Sequence, residues 1–190
     1  MKRRDIRSSD GLILAGYESG NPQGPEILFI HGFSQCSLAW EKQFSSTALA
    51  HDFRLTAFDI RGHGASEKPP DLSRYASDAQ FAGDVHSVME AFDLKRPVLV
   101  GWSYAGRIIS DYVTDYGTGS IAGINFVCAR TNNDPVFDGP GTGFLDDMTS
   151  NDLAANIKAT RAFLRACYEK QPDEAEFETA LAYNTNGFGG

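Results

Sequence analysis

Polar and apolar positions along the chain change period at regular intervals, and the changes mark out alternating strands and helices. Residues 3–8 and 12–18 read as two short strands around Ser9-Asp10-Gly11, a strong hairpin signal. A loop with Gly and Pro over residues 20–25 leads into Ile27-Leu28-Phe29-Ile30. That continuous apolar run is the mark of a strand covered on both faces. Leu38, Trp40, Phe44 and Leu49 supply the apolar positions of a helix over residues 38–50, and Leu55-Thr56-Ala57-Phe58 makes the next strand. From Ser77 to Leu94, Phe81, Val85, Val88, Met89 and Phe92 trace one helical face, with Ser77 as N-cap and Asp78 in the first turn. Residues 97–100 form another β-prone run. Ile108, Ile109, Tyr112, Val113 and Tyr116 follow at helical spacing, and residues 121–129 read as a further buried strand.

Strands alternating with helices in this way specify an α/β fold, a mostly parallel sheet with helices on both faces. The character changes after Arg130. Residues 131–143, rich in Asn, Asp, Pro and Gly, read as loop; residues 151–169 and 172–183 read as two helices, with Pro172 in the first turn of the second. Residues 184–190 carry no pattern and are expected to fray.

Composition narrows the class. Hydrophobic content of 42% and charged content of 22% are those of a soluble globular protein, and 190 residues suffice for one domain with a sizeable core. A net charge of −8 argues against nucleic-acid or anionic-membrane partners, which need a basic face. Cys36, Cys128 and Cys167 are odd in number and widely spaced, neither a disulfide framework nor a zinc pattern, which fits a reducing cytoplasm. The start, Met1-Lys2-Arg3-Arg4-Asp5, has no apolar segment after its basic residues, and no run is long enough to span a bilayer.

The chemistry centres on Gly101-Trp102-Ser103-Tyr104-Ala105-Gly106. A strand that breaks into a helix over so few residues forces its central residue into a strained conformation and requires small neighbours. Such a turn lifts the Ser103 hydroxyl clear of the sheet, beside a helix N-terminus that favours developing negative charge. Two other motifs close earlier strands: His31-Gly32-Phe33, and Asp59-Ile60-Arg61-Gly62-His63-Gly64-Ala65-Ser66. Together, in this order, they resemble the α/β-hydrolase family and its nucleophile elbow, leaning towards the serine esterase and non-haem haloperoxidase-like branch. One departure is that Ala105 stands where the elbow pattern has its second glycine.

The resemblance implies that Ser103 is the nucleophile of an ester or related acyl hydrolase. It implies that the backbone N–H groups of Phe33 and Tyr104 form the oxyanion hole, and it implies no cofactor. Four scattered histidines without a close pair give metal binding little support, and the aromatic content near the motifs favours a small hydrophobic acyl or alcohol group. Residues 1–130 would be the N-terminal part of the hydrolase core, and residues 131–190 a helical cap. His31 and His63 are expected to organise their loops rather than act as bases, and His51 and His86 to be solvated. The Gly62-His63-Gly64 run lacks the third glycine of a dinucleotide loop, its position being Glu67.

A serine nucleophile needs a base, itself oriented by an acid, and in this fold the order along the chain is Ser, acid, His. Asp134 and Asp138 are candidates for the acid, Asp134 the preferred one. No histidine follows Ser103; the last is His86. The strand over residues 121–128 has neither charge nor proline to protect an edge. The expectation is therefore a hydrolase whose C-terminal strands are missing, ending in or after its cap. The alternatives are a non-catalytic binding protein on the same fold and a half-enzyme completed by another chain, with self-association through the exposed sheet edge.

Overall fold

The computed structural model describes residues 1–132, 134, 136 and 139–185. The hairpin signal at Ser9-Asp10-Gly11 forms as read. Strand β1 (Lys2–Arg7) pairs antiparallel with β2 (Ile13–Gly20), Arg7 opposite Ile13. Ser8 closes the turn, its hydroxyl accepting from Leu12 N at 2.9 Å. The apolar runs become β3 (Glu26–Ile30), β4 (Arg54–Phe58), β5 (Val98–Trp102) and β6 (Gly123–Val127). The sheet order is β1-β2-β4-β3-β5-β6, with β4, β3, β5 and β6 mutually parallel.

Helices cover both faces. On one side α1 (Glu41–Phe44) and α2 (Thr47–Asp52), with a 3₁₀ turn over Ser37–Trp40, set Trp40 and Phe44 against Phe29, Leu55, Ala57 and Val100. On the other, α3 (Asp78–Ala91) and α4 (Ala105–Tyr116) set Val85, Val88, Ile108, Ile109 and Tyr112 against Leu28, Ile30 and Leu99. Leu28 and Ile30 serve one core and Phe29 the other, the period-two alternation of a strand covered twice. Each such fully buried side chain contributes about 1.5–3 kcal/mol relative to exposure. Ser77 caps α3 as read, and Gln80 completes a reciprocal capping box by accepting from Ser77 N at 3.1 Å.

Four local expectations are corrected. The helix expected over residues 38–50 is broken in two, because the Ser46 hydroxyl accepts from Leu49 N at 3.3 Å and caps a new start. The apolar strand that read as buried lies, among the described residues, at the exposed sheet edge: it pairs there with β5 alone, and Ile124, Phe126 and Val127 are 36%, 45% and 36% exposed. The loop after Arg130 contains a 3₁₀ turn over Pro140–Phe144 and then α5 (Leu145–Met148). The last helix, α7 (Glu174–Thr185), starts after Pro172, with the Asp173 carboxylate accepting from Glu176 N at 2.8 Å. Helix α6 (Leu153–Ala166) packs on α7 around Leu164, Phe177, Ala180 and Leu181, a small core of their own. Among the described residues no helix is long and apolar enough to cross a membrane.

Candidate active site

The three motifs lie side by side. Their strands are neighbours in the order β4-β3-β5, and all three loops leave the same end of the parallel sheet. The chain leaves β3 towards the α1–α2 face and re-enters at β5 from the α3 face, so a crevice opens between the two exits.

Ser103 stands at the sharpest point of that crevice. Its φ is +55°, the left-handed region that costs a non-glycine residue roughly 1–3 kcal/mol and persists only where surroundings enforce it. The enforcement is visible. Ser103 N donates to Val127 O at 3.1 Å, and Ser103 O accepts from Gly106 N and Arg130 N, both at 3.0 Å. The chain leaving β6 is thereby sewn to the elbow. Gly106 permits the approach, because a Cβ there would lie 2.7 Å from both Ala129 Cβ and Arg130 O. Gly106 is thus the glycine the turn requires, while Ala105 fits with its methyl fully buried. The Ser103 side chain is half-buried and has no hydrogen-bond partner among the described residues. It precedes α4, whose N-terminal dipole favours negative charge at that point.

The His31-Gly32-Phe33 loop reaches across to it. A Cβ on Gly32 would stand 3.1 Å from Ser103 Cβ, 3.3 Å from Trp102 O and 3.6 Å from Ser103 Oγ. His31 has no exposure, and its Nε2 accepts from Ile60 N at 2.9 Å. Its Nδ1 therefore carries the proton and donates to Gly32 O at 2.8 Å. His63 is held likewise, with Nε2 accepting from Ser34 N at 3.2 Å and Nδ1 donating to Arg61 O at 3.0 Å. Burial lowers both imidazoles, His31 to about 3, and each is neutral because its Nε2 accepts from a backbone N–H. His31 and His63 organise loops, as expected of them, and each has both ring nitrogens committed.

The Asp59-to-Ser66 motif is structural in every part that can be traced. Asp59 accepts from Ser37 N at 2.7 Å, Ala65 N at 2.8 Å and Tyr17 Oη at 3.0 Å. Ser66 Oγ donates to Asp59 O and accepts from Ala15 N. Gly64, at φ +51°, leaves room for the Asp59 carboxylate, which a Cβ would overlap. Arg61, 1% exposed, makes a two-pronged pair with Asp84 at 2.7 Å on each arm and also reaches Asp10.

The aromatic residues around Ser103 and Gly32 pack inwards. Trp102 meets Trp40 edge-on at 6.5 Å, Tyr104 meets Phe81 edge-on at 6.1 Å, and Phe33 lies edge-on to His63 at 6.2 Å. A cleft of about 440 Å³ opens between residues 38–42 on one side and α7 with the chain just after α6 on the other, walled by Trp102, Tyr168 and Tyr183. Asp134 is exposed, and its carboxylate accepts from Val136 N at 3.0 Å within its own loop; Asp138 lies outside the described residues. His51 sits exposed beside Asp52, and His86 stacks on Tyr116 with ring centroids 4.3 Å apart.

One residue escaped the sequence reading altogether. Asn184, placed there in a fraying tail, is fully buried in the last turn of α7 and bonds to Ser34 and Gln35. No periodicity signals a buried asparagine; its partners lie 149 and 150 residues away.

A family model described as "alpha/beta hydrolase fold" matches residues 25–163. The solved structure of a chain assigned as an aryl esterase from Burkholderia cenocepacia is 37% identical with a TM-score of 0.90; the match covers 97% of this chain and 67% of that one. A protein assigned as a non-heme chloroperoxidase from Synechocystis sp. is 35% identical over 136 residues, 65% of this chain and 48% of that protein. An epoxide hydrolase from Caballeronia sordidicola is 37% identical over 101 residues, 53% of this chain and 29% of that protein. The chain thus spans about half or less of these curated relatives and about two thirds of the solved one.

Proposed function

Because the chain belongs to the α/β-hydrolase fold family, we propose that it carries the nucleophile and oxyanion hole of a serine hydrolase acting on an ester or related acyl substrate. Ser103 Oγ attacks the acyl carbonyl carbon. The resulting oxyanion is met by the backbone N–H of Tyr104, at the start of α4, and of Phe33, beside Gly32. Collapse expels the alcohol and leaves an acyl-enzyme, which water hydrolyses. The observation that carries this reading is the conformation of Ser103: a strained φ of +55°, an unpartnered hydroxyl, and the Gly32 backbone close against it. Donors aimed at developing charge are worth about 10²–10³ in rate each where they have been removed from related chemistry.

The base is the part these residues do not supply. His31 and His63 have both nitrogens engaged, and no histidine follows Ser103. In this reading an imidazole from polypeptide outside the 190 residues completes the triad, with Asp134 as the candidate acid on this chain. The aromatic wall of the cleft, including Trp102 next to Ser103, favours a small hydrophobic acyl or alcohol group. No cofactor takes part, and a cytoplasmic setting fits the three free cysteines.

A second reading is favoured by the same missing base: a binding protein on a hydrolase fold, without turnover. An alkyl fluorophosphonate, given with free imidazole to stand in for the missing base, separates the two. A mass increment mapped to Ser103, absent in Ser103→Ala, is the expected result; an unlabelled Ser103 would leave the binding protein as the better account.

A further inference from the structure

The turn that carries the Phe33 N–H is gripped from two directions. From the sheet side, Ser34 N donates to His63 Nε2 at 3.2 Å. From the cap, the backbone O of Asn184 accepts from Ser34 Oγ at 2.9 Å, and Asn184 Oδ1 accepts from Gln35 Nε2 at 2.8 Å. Ser34 has φ +60°, so this turn holds its shape only while its surroundings enforce it.

The asparagine is specific to its place. Its Nδ2 donates to Ala180 O at 2.6 Å, one turn back on α7, which fixes the amide oxygen towards Gln35. Gln35 is 2% exposed and its Oε1 has no partner, so Asn184 is the sole side-chain partner of Gln35 among the described residues. A carboxylate at position 184 would face the Ala180 carbonyl with like polarity, and an aliphatic side chain would leave Gln35 Nε2 buried without an acceptor.

We infer that Asn184 is a positioning residue: it couples the docking of α7 to the shape of the 33–35 turn, and so sets where the Phe33 N–H stands relative to Ser103. The inference rests on the reading of Ser103 as nucleophile and of Phe33 as an oxyanion donor. Seating of the cap and assembly of the oxyanion hole then become one event. A substrate that wedges α7 away from the core would open the hole, and one that lets it seat would close it.

The test uses the 190-residue chain and two readouts, amide hydrogen exchange of the peptide covering residues 31–36 and the rate of Ser103 labelling by an alkyl fluorophosphonate in the presence of free imidazole as the missing base. In Asn184→Ala, exchange in that peptide rises about tenfold and labelling slows about tenfold, the loss expected for one buried hydrogen bond. Exchange in β3 and β5 stays as in the wild type. Both variants keep the bond from Ser34 Oγ to the Asn184 backbone O; Gln35→Ala removes the same side-chain bond from its other end, gives the same pattern, and keeps the test open should Asn184→Ala not fold. The double variant is no worse than Asn184→Ala alone, because the two residues share one interaction. Unchanged exchange over residues 31–36, acceleration spread evenly through the sheet, or fully additive effects would each overturn the inference. Should wild-type Ser103 not label, the nucleophile reading fails, and the exchange pattern alone still decides whether Asn184 holds the turn.

Discussion

Gly32 lies against Ser103 so closely that a methyl group on it would stand 3.1 Å from Ser103 Cβ and 3.3 Å from Trp102 O. Those distances are tighter than ordinary contact but not impossible, so the backbones must part by a few tenths of an ångström rather than unfold. Gly32→Ala is therefore expected to cost little stability, about 1–2 kcal/mol by the measure of modest overpacking. With free imidazole supplied, it should nonetheless slow the reaction of Ser103 with a fluorophosphonate tenfold or more, since under the proposed function it moves the Phe33 N–H away from its place as oxyanion donor. Thermal melting and labelling rate, measured on the same sample, separate the two effects.

Arg61 and Asp84 are each 1% exposed and bonded through two arms. Removing Asp84 leaves the buried Arg61 with only the partly exposed Asp10 as counter-charge, and breaking a buried pair costs up to about 3–5 kcal/mol. Asp84→Ala should therefore lower the urea midpoint far more than removal of the exposed Asp5, paired with Arg3 at the surface. Equal effects would contradict the role given to the buried pair.

His31 and His63 are neutral in the folded chain because burial depresses both. Below about pH 6.5 the unfolded chain takes up protons that the folded chain refuses, so stability is present above that pH and lost as pH falls below it. The limiting slope is about 1.4 kcal/mol per pH unit for each histidine. Melting temperatures followed from about pH 8 to about pH 5 should hold level and then drop, with a shallower drop in His63→Gln. A flat profile would contradict the assignment.

Strand β6 has Ile124 and Phe126 exposed and carries no charge, while β1 at the opposite edge carries Lys2, Arg3, Arg4, Asp5 and Arg7. Charges guard the second edge, and among the described residues nothing guards the first. Sedimentation should show concentration-dependent association of the chain, reduced in Phe126→Lys without loss of melting temperature.

The parts of this molecule that local chemistry specifies could be read from the chain directly. Runs such as Ile27–Ile30 and Pro97–Val100 announce strands covered twice, and Gly101 to Gly106 announces a turn that must be tight. What stayed hidden depends on distant partners. The break at Ser46 follows from a serine hydroxyl preferring to cap a new helix over continuing the old one, which periodicity does not register. Asn184 looked like tail because its meaning lies entirely in Ser34 and Gln35, at the other end of the chain.

The central claim is that Ser103 is a nucleophile with its oxyanion hole in place and its base elsewhere. It is tested most directly by supplying a base. The purified chain, incubated with p-nitrophenyl acetate with and without free imidazole, is digested and its acetylated peptides mapped. The account predicts an acetyl group on Ser103 whose rate of appearance rises with imidazole, and none at that position in Ser103→Ala. Acetylation confined to lysines, or a Ser103 rate indifferent to imidazole, would contradict it.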